Sequence, residues 1–291
     1  MSPSQSKLLV QPDHSKEEYI HVDPKSAGWE HLSFAVRNLR QNNTWKLETG
    51  DYEYALVVLG GTCKVETSRG SWNKIGRRPD VFHGMPYTLY VPRHTKVEVQ
   101  ATSENLNLGY GWAASSMDFP IRLITPDEVE IELRGGENAT RQINKMIPPG
   151  FPCERLVVVE VYTPSGNWSS YPPHKHDVHR VDTSGKLLEA DLEEIYFYKI
   201  TPEDGFAYQR IYTEDRHLDE LIFVKNDELV LSPEGYHPVV SGQGYTSYYL
   251  NMLAGSAQSL ASADDPQYAW IKDSWKYQDP RVPIVSMEME K

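Results

Sequence analysis

The stretch Pro172-Pro173-His174-Lys175-His176-Asp177 decides how the chain is read. Two histidines at i and i+2 on an extended segment point their imidazoles to one side, because successive strand side chains alternate between faces. His174 and His176 are thereby presented to a single ion. The next strongly strand-like run is Glu193-Glu194-Ile195-Tyr196-Phe197-Tyr198, rich in aromatic and β-branched residues. Alternation puts Glu194, Tyr196 and Tyr198 on one face, which makes Glu194 the third candidate ligand and leaves Glu193 on the other face, where its replacement should do little. In Ser232-Pro233-Glu234-Gly235-Tyr236-His237 the Pro and Gly mark a tight turn, after which His237 leads into a new strand and offers a fourth ligand. Three neutral imidazoles and one carboxylate suit one borderline divalent cation, zinc or manganese foremost and iron third, with coordination positions left for a substrate.

Outward from these segments the chain reads as all-β. Short apolar runs alternate with Gly, Pro and Asn: His31 to Val36, Trp45 to Thr49, Tyr54 to Leu59, Cys63 to Thr67, Tyr87 to Pro92 and Lys96 to Gln100 in the first half. Leu156 to Tyr162 is nearly continuously apolar, as a strand buried on both faces should be. Phe206 to Tyr212, Glu220 to Val224, Glu228 to Leu231 and Tyr245 to Leu253 continue the rhythm. Closely spaced short strands predict jelly-roll barrels. Leu133-Arg134-Gly135-Gly136-Glu137-Asn138 is the least strand-like place near the middle, so the expected domains are 1–134 and 135–291. Residues 1 to about 25 read as an arm lying across another element, and the tail from Ala261, with Trp270 and Trp275, as a covering segment. The first half holds His83 and His94 without a partner two residues away, and is expected to be a metal-free, structural barrel.

A chain of 291 residues is long enough for two domains that each bury a core. Its net charge of −12 argues against nucleic acid or anionic membrane as a partner, since both need a basic face. No apolar run approaches the roughly 20 residues that span a bilayer, and the residues from Met1 to Gln5 lack signal-peptide form. A cytoplasmic location is expected. The two cysteines, Cys63 and Cys153, form no Cys-x-x-Cys and suggest neither a disulfide framework nor a thiolate site.

His-x-His, a Glu opening an aromatic strand, and Pro-x-Gly-x-His ahead of another strand together resemble the two-part motif of the cupin superfamily. The chain departs from the general pattern in the 17 residues between His176 and Glu194 and in one residue fewer between Gly235 and His237. Whole segments come closer. Gly166 to Asp177, Leu192 to Tyr196, Gly205 to Tyr212, Gly235 to Pro238 and Tyr248 to Gly255 resemble the 5-deoxy-glucuronate isomerase family of myo-inositol catabolism, whose form also includes the long insert after His176. The resemblance implies a bicupin fold and interconversion of 5-deoxy-D-glucuronate with 2-deoxy-5-keto-D-gluconate. The sister family, 4-deoxy-5-hexosulose-uronate ketol-isomerase, is similar mainly around Glu194 to Tyr198.

On that reading the partner is a small sugar acid, and the residues leave self-association into a homo-oligomer open. An aldose-to-ketose change develops negative charge on the aldehyde oxygen, which a divalent ion held by His174, His176, Glu194 and His237 would stabilise. The substrate carboxylate calls for a planar guanidinium, for which Arg210 is the first choice, with Lys175 and Arg180 behind it. Tyr196 and Tyr198 would stack on the sugar or hydrogen-bond it, or else serve as core aromatics. Glu220 is the candidate base, with Asp219 and Glu214 not excluded. Two further readings use the same ligands or fold: a metal-dependent oxygenase, tested by oxygen uptake, and a sugar-binding bicupin without turnover.

Overall fold

The structure is a computed structural model and describes residues 6–289. It is nearly all β, with two antiparallel barrels in sequence. The first barrel pairs a six-stranded sheet, in the order Arg122–Ile124, Thr88–Val91, Tyr52–Gly60, Asn105–Ala114, Ser33–Arg40 and Glu18–Val22, with a four-stranded sheet built from Thr44–Glu48, Lys96–Ala101, Cys63–Thr67 and Gly70–Ile75. The second has a large sheet running Leu229–Ser232, Leu187–Thr201, Thr246–Gly255, Val157–Thr163, Arg141–Ile147 and Glu130–Arg134. Its smaller sheet comprises Trp168–Ser169, Val239–Ser241, Ala207–Tyr212 and Asp219–Val224.

The two large sheets lie back to back, which explains their nearly continuous apolar strands. In Tyr52–Gly60, Leu56 and Val58 point into the first barrel while Ala55, Val57 and Leu59 point to the inter-barrel core. In Val157–Thr163, Val159 and Val161 point into the second barrel while Val158 and Tyr162 join the same inter-barrel core. A strand with two buried faces cannot alternate with polar residues. Phe34, Phe197 and Leu250 are all fully buried there, and together contribute roughly 5–9 kcal/mol relative to exposure. Each barrel thus needs the other to cover its large sheet.

Polar residues pin this contact. Arg78 and Glu160 form an ion pair in which neither side chain is more than 1% exposed. Arg78 also donates from Nε to Val58 O (3.1 Å), and Tyr248 donates its hydroxyl to Glu160 Oε1 (2.8 Å). Glu193 faces the inter-barrel side, as its parity requires, but it is not idle. Its carboxylate accepts the backbone N–H groups of Glu30, His31 and Leu32, the last two at 2.8 and 2.7 Å. Glu193→Gln is therefore expected to cost about 1.5–3 kcal/mol in urea unfolding, as loss of charged hydrogen bonds does, with metal content retained. A change below about 0.5 kcal/mol, the size of an ordinary surface substitution, would contradict this role.

The expected boundary at 134/135 falls inside a hairpin. Glu130–Arg134 pairs antiparallel with Arg141–Ile147, with Arg134 opposite Arg141, so the second sheet already begins before residue 135. Gly135, at φ +83°, makes the turn rather than a linker. The arm does cross to the far barrel: Leu9 and Val10 add a strand to it opposite Val230 and Leu229. Cys63 and Cys153 are buried free thiols in different cores. His83 and His94 lie at the surface near Asp80 and Asp51.

Candidate metal centre

His174 belongs to the two-residue strand His174–Lys175, paired with Ala263–Asp264 of the tail. The strand turns Lys175 away from the barrel and leaves His174 and His176 on one side. Glu194 comes from the middle of the long strand Leu187–Thr201, between Leu253 and Ser232 of its neighbours. His237 follows Gly235, whose φ is +79° and where a Cβ would come within 2.5 Å of Tyr212 O. Only glycine permits that approach, and the approach sets His237 against Glu194.

Glu194 Oε2 lies 3.0 Å from His176 Nε2 and 3.3 Å from His237 Nε2. The ring centroids of His174 and His176 each lie 4.9 Å from that of His237. All three rings are oriented from behind. His176 Nδ1 meets Leu192 O at 3.0 Å, His237 Nδ1 meets Gly235 O at 2.9 Å, and His174 Nδ1 approaches Pro172 O at 3.4 Å. A carbonyl only accepts, so each Nδ1 carries a proton; the Nε2 atoms of His174 and His237 keep their lone pairs for the centre, while His176 Nε2 faces the Glu194 carboxylate and donates to it when no cation stands between them. Burial, with the neighbouring histidines, holds both His174 and His237 down to about 3, so both rings are neutral at ordinary pH. For His176 burial works the same way, but the hydrogen bond and charge of Glu194 outweigh it and raise the value. His237 is 0% exposed and its Nε2 has no hydrogen-bond partner. Such an orphaned lone pair is costly unless a cation takes it. The donor set fits a divalent metal.

The centre opens into a cavity of about 490 Å³ lined by His174, His176 and Glu194 together with Tyr196, Tyr249, Asn251, Ser170 and Arg141. The tail covers it with Leu260, Ser262, Asp264, Lys272 and Trp275, as a covering segment should, although Trp270 is left exposed. Tyr196 reaches Ser170 Oγ with its hydroxyl at 3.1 Å. Among the described residues, His176, Glu194 and His237 are the group whose potential ligand atoms all lie within 4.8 Å of one another; His174 is not in that group but lines the cavity beside it, its ring centroid 4.9 Å from that of His237.

Other expected site residues lie elsewhere. Arg210 shares a face with Tyr208, but that face is the outside of the smaller sheet, where Nε and Nη2 each hold Asp219 at 2.8 Å. Glu220 is a half-buried residue on the sheet-edge strand beside Asp219 and is not on the cavity wall. Lys175 points away to Asp177 and Glu189 (2.5 and 3.0 Å), and Arg180 pairs with Glu189 at 3.4 Å. Tyr198 sits deeper in the barrel than Tyr196 and donates to Gln209 Oε1 at 2.8 Å. Sequence reasoning missed the wall formed by Arg141, Tyr249 and Asn251. Its one local signal is Arg141, Ile143 and Lys145 at i, i+2 and i+4 along a strand, which puts two cations on one face.

The family model described as KduI/IolB matches residues 8–271. The chain belongs to the KduI/IolB family. It is 43% identical to the 5-deoxy-glucuronate isomerase of Geobacillus thermodenitrificans over 92% of this chain and 97% of the relative. The enzyme of that name from Bacillus subtilis strain 168 is 36% identical over 83% and 88%. The crystal structure of an IolB-like protein from Salmonella typhimurium LT2 superposes with a TM-score of 0.86 at 36% identity, covering 91% of this chain and 98% of that one. Variants of Bacillus subtilis oxalate decarboxylase share the fold at 11% identity and a TM-score of 0.62. No helix among the described residues is long and apolar enough to cross a membrane.

Proposed function

We propose that the chain is a 5-deoxy-glucuronate isomerase, converting 5-deoxy-D-glucuronate to 2-deoxy-5-keto-D-gluconate. The observation that carries the reading is the convergence of the His176 and His237 Nε2 atoms on the Glu194 carboxylate, with the His174 ring 4.9 Å from that of His237, at a cavity with room for an open-chain six-carbon acid. Relatives named for this activity support it. The reaction moves hydrogen within the substrate: the hydroxyl-bearing carbon gives up its proton, the former aldehyde carbon gains one, and charge resides meanwhile on the two oxygens. His174, His176, Glu194 and His237 would hold a divalent ion there, which would supply Lewis acidity for the developing negative charge. Zinc and manganese suit the donor set best, with iron third.

The chain's own residues shape the rest. Burial raises the Tyr196 and Tyr249 phenols above their ordinary range, so both stay protonated; Tyr249 donates to Ser169 Oγ at 3.0 Å, which leaves Tyr196, beside Ser170 Oγ, as the O–H donor for a substrate oxygen on which charge develops. Asn251 is fixed by donation to Ile195 O at 2.9 Å, which leaves its amide oxygen as an acceptor on the same wall. Leu260 and Trp275 place apolar surface over the cavity. The reading extends to myo-inositol catabolism, as the family resemblance implies, and to the cytoplasmic location expected from the sequence.

The test offers purified protein 5-deoxy-glucuronate and, separately, 4-deoxy-5-hexosulose-uronate, and follows loss of the aldehyde signal by NMR with oxygen uptake recorded in parallel. Faster turnover of the first compound with no oxygen consumed is expected. Preference for the second would reassign the chain within its family, and oxygen-dependent turnover would make it an oxygenase.

A further inference from the structure

Four cationic side chains line the cavity, and three are already neutralised. Arg134 binds Glu132 through Nε and Nη2 (2.6 and 3.0 Å), Lys145 lies 2.9 and 2.8 Å from Glu130 and Glu132, and Lys272 meets Asp264 at 2.5 Å. Arg141 differs. It is only 5% exposed, yet among the described residues it makes no ion pair. Its hydrogen bonds run from Nη1 alone, to the neutral carbonyls Ala139 O (3.2 Å) and Tyr171 O (3.0 Å). Gly135 packs so tightly beneath it that a Cβ there would lie 2.7 Å from Nη1. The guanidinium is thus seated by one nitrogen, with Nε and Nη2 left for a ligand on the side that lines the cavity.

A buried, unpaired guanidinium is expensive to keep unless something anionic joins it in the working state. The missing counter-charge leaves its trace: burial lowers Arg141 to about 10, still protonated at neutral pH. Arg141 is also near enough to His174 to help hold that ring neutral, so cation and metal centre share one cavity. A ligand that answers both must carry oxygens for the metal at one end and an anion at the other.

We propose that Arg141 is the specificity-determining residue that binds the carboxylate of an open-chain sugar acid through Nε and Nη2, in the role the sequence suggested for Arg210. The identity of the acid rests on the isomerase reading above; the anion subsite does not. A planar fork matches a carboxylate in two parallel hydrogen bonds. It fixes the chain length between carboxylate and reacting carbons, and it rejects neutral sugars by leaving the guanidinium desolvated and unpaired.

The experiment measures binding first, so that it stands apart from turnover. Calorimetry on the metal-loaded protein uses D-glucuronate and D-glucose as probes, with wild type, Arg141→Met, Arg141→Lys and the outer-face control Arg210→Met. Glucuronate affinity is expected to fall by at least about 150-fold in Arg141→Met, the equivalent of two charged hydrogen bonds at the low end of their range, less in Arg141→Lys, and not in Arg210→Met. Metal stoichiometry should stay unchanged in all. Arg141→Lys keeps the buried charge and serves if Arg141→Met does not fold. A residue that merely tied Tyr171 in place would weaken both sugars alike, whereas the acid-over-neutral preference should collapse only with Arg141. Unchanged preference in both Arg141 variants, or no preference in wild type, overturns the proposal. Should wild type bind glucuronate in an Arg141-dependent way yet fail to isomerise 5-deoxy-glucuronate, the isomerase reading falls and the anion subsite stands.

Discussion

His237→Ala should leave a folded protein that has lost its metal and, with it, at least three orders of magnitude in isomerisation rate. The ring is 0% exposed, its Nδ1 is committed to Gly235 O, and its Nε2 points at Glu194 without a hydrogen bond of its own. Removing it deletes one of the four proposed donors, for which a loss of at least about 100-fold in metal affinity is a conservative expectation, since changes to the supporting shell alone cost about 10- to 100-fold. Glu194→Gln is the sharper variant, because it keeps the shape, removes the charge that raises His176, and should release metal as well. Elemental analysis after dialysis, read beside the NMR assay, separates metal loss from unfolding. Full metal retention in both His174→Ala and His237→Ala would remove these residues as ligands.

Arg78→Met should destabilise the protein by about 3–5 kcal/mol without touching the metal site. Glu160 is 0% exposed, and loss of its partner would strand a carboxylate held by Tyr248 and Tyr162 and, at 3.4 Å, by Asn144. An uncompensated buried charge costs that much, while exchanging the whole pair for uncharged groups of similar volume costs far less. The double variant Arg78→Met/Glu160→Gln should therefore recover much of the loss in urea unfolding. Equal losses in single and double variants would mean that shape, not charge, is what the pair supplies. The pair joins a first-barrel residue to a second-barrel strand, so the single variant should also soften the contact between the two large sheets.

What could be read from the sequence was whatever depends on local geometry. Strand parity distinguished Glu194 from Glu193 and put His174 and His176 on one side, and both assignments hold because period two is a property of the backbone itself. Parity does not say which face is inside. Arg210 does share its face with Tyr208, but the inner face of that strand belongs to Gln209 and Ile211. Tyr198 shows the same limit in depth, since it lies on the correct face with its hydroxyl taken by Gln209. Arg141 reaches the cavity only because Arg141–Ile147 lies between Glu130–Arg134 and Val157–Thr163 in the sheet, an order set by pairing across the fold. Glycines misled at the boundary. Gly135 and Gly136 read as a junction when they turn a hairpin and pack on Arg141 and Trp275.

The strand Leu9–Val10 has a consequence for the order of events during synthesis. Its partners, Val230 and Leu229, lie more than 200 residues later, so at roughly 5–20 residues per second the arm spends about 10–45 s outside the ribosome before a partner strand exists. The first barrel can close in that interval, but the second barrel's sheet is completed by a segment that has been waiting since before the first was made. Anything that captures the arm early, such as a fused domain or a chaperone, therefore acts on the maturation of the distant half that carries the proposed metal ligands.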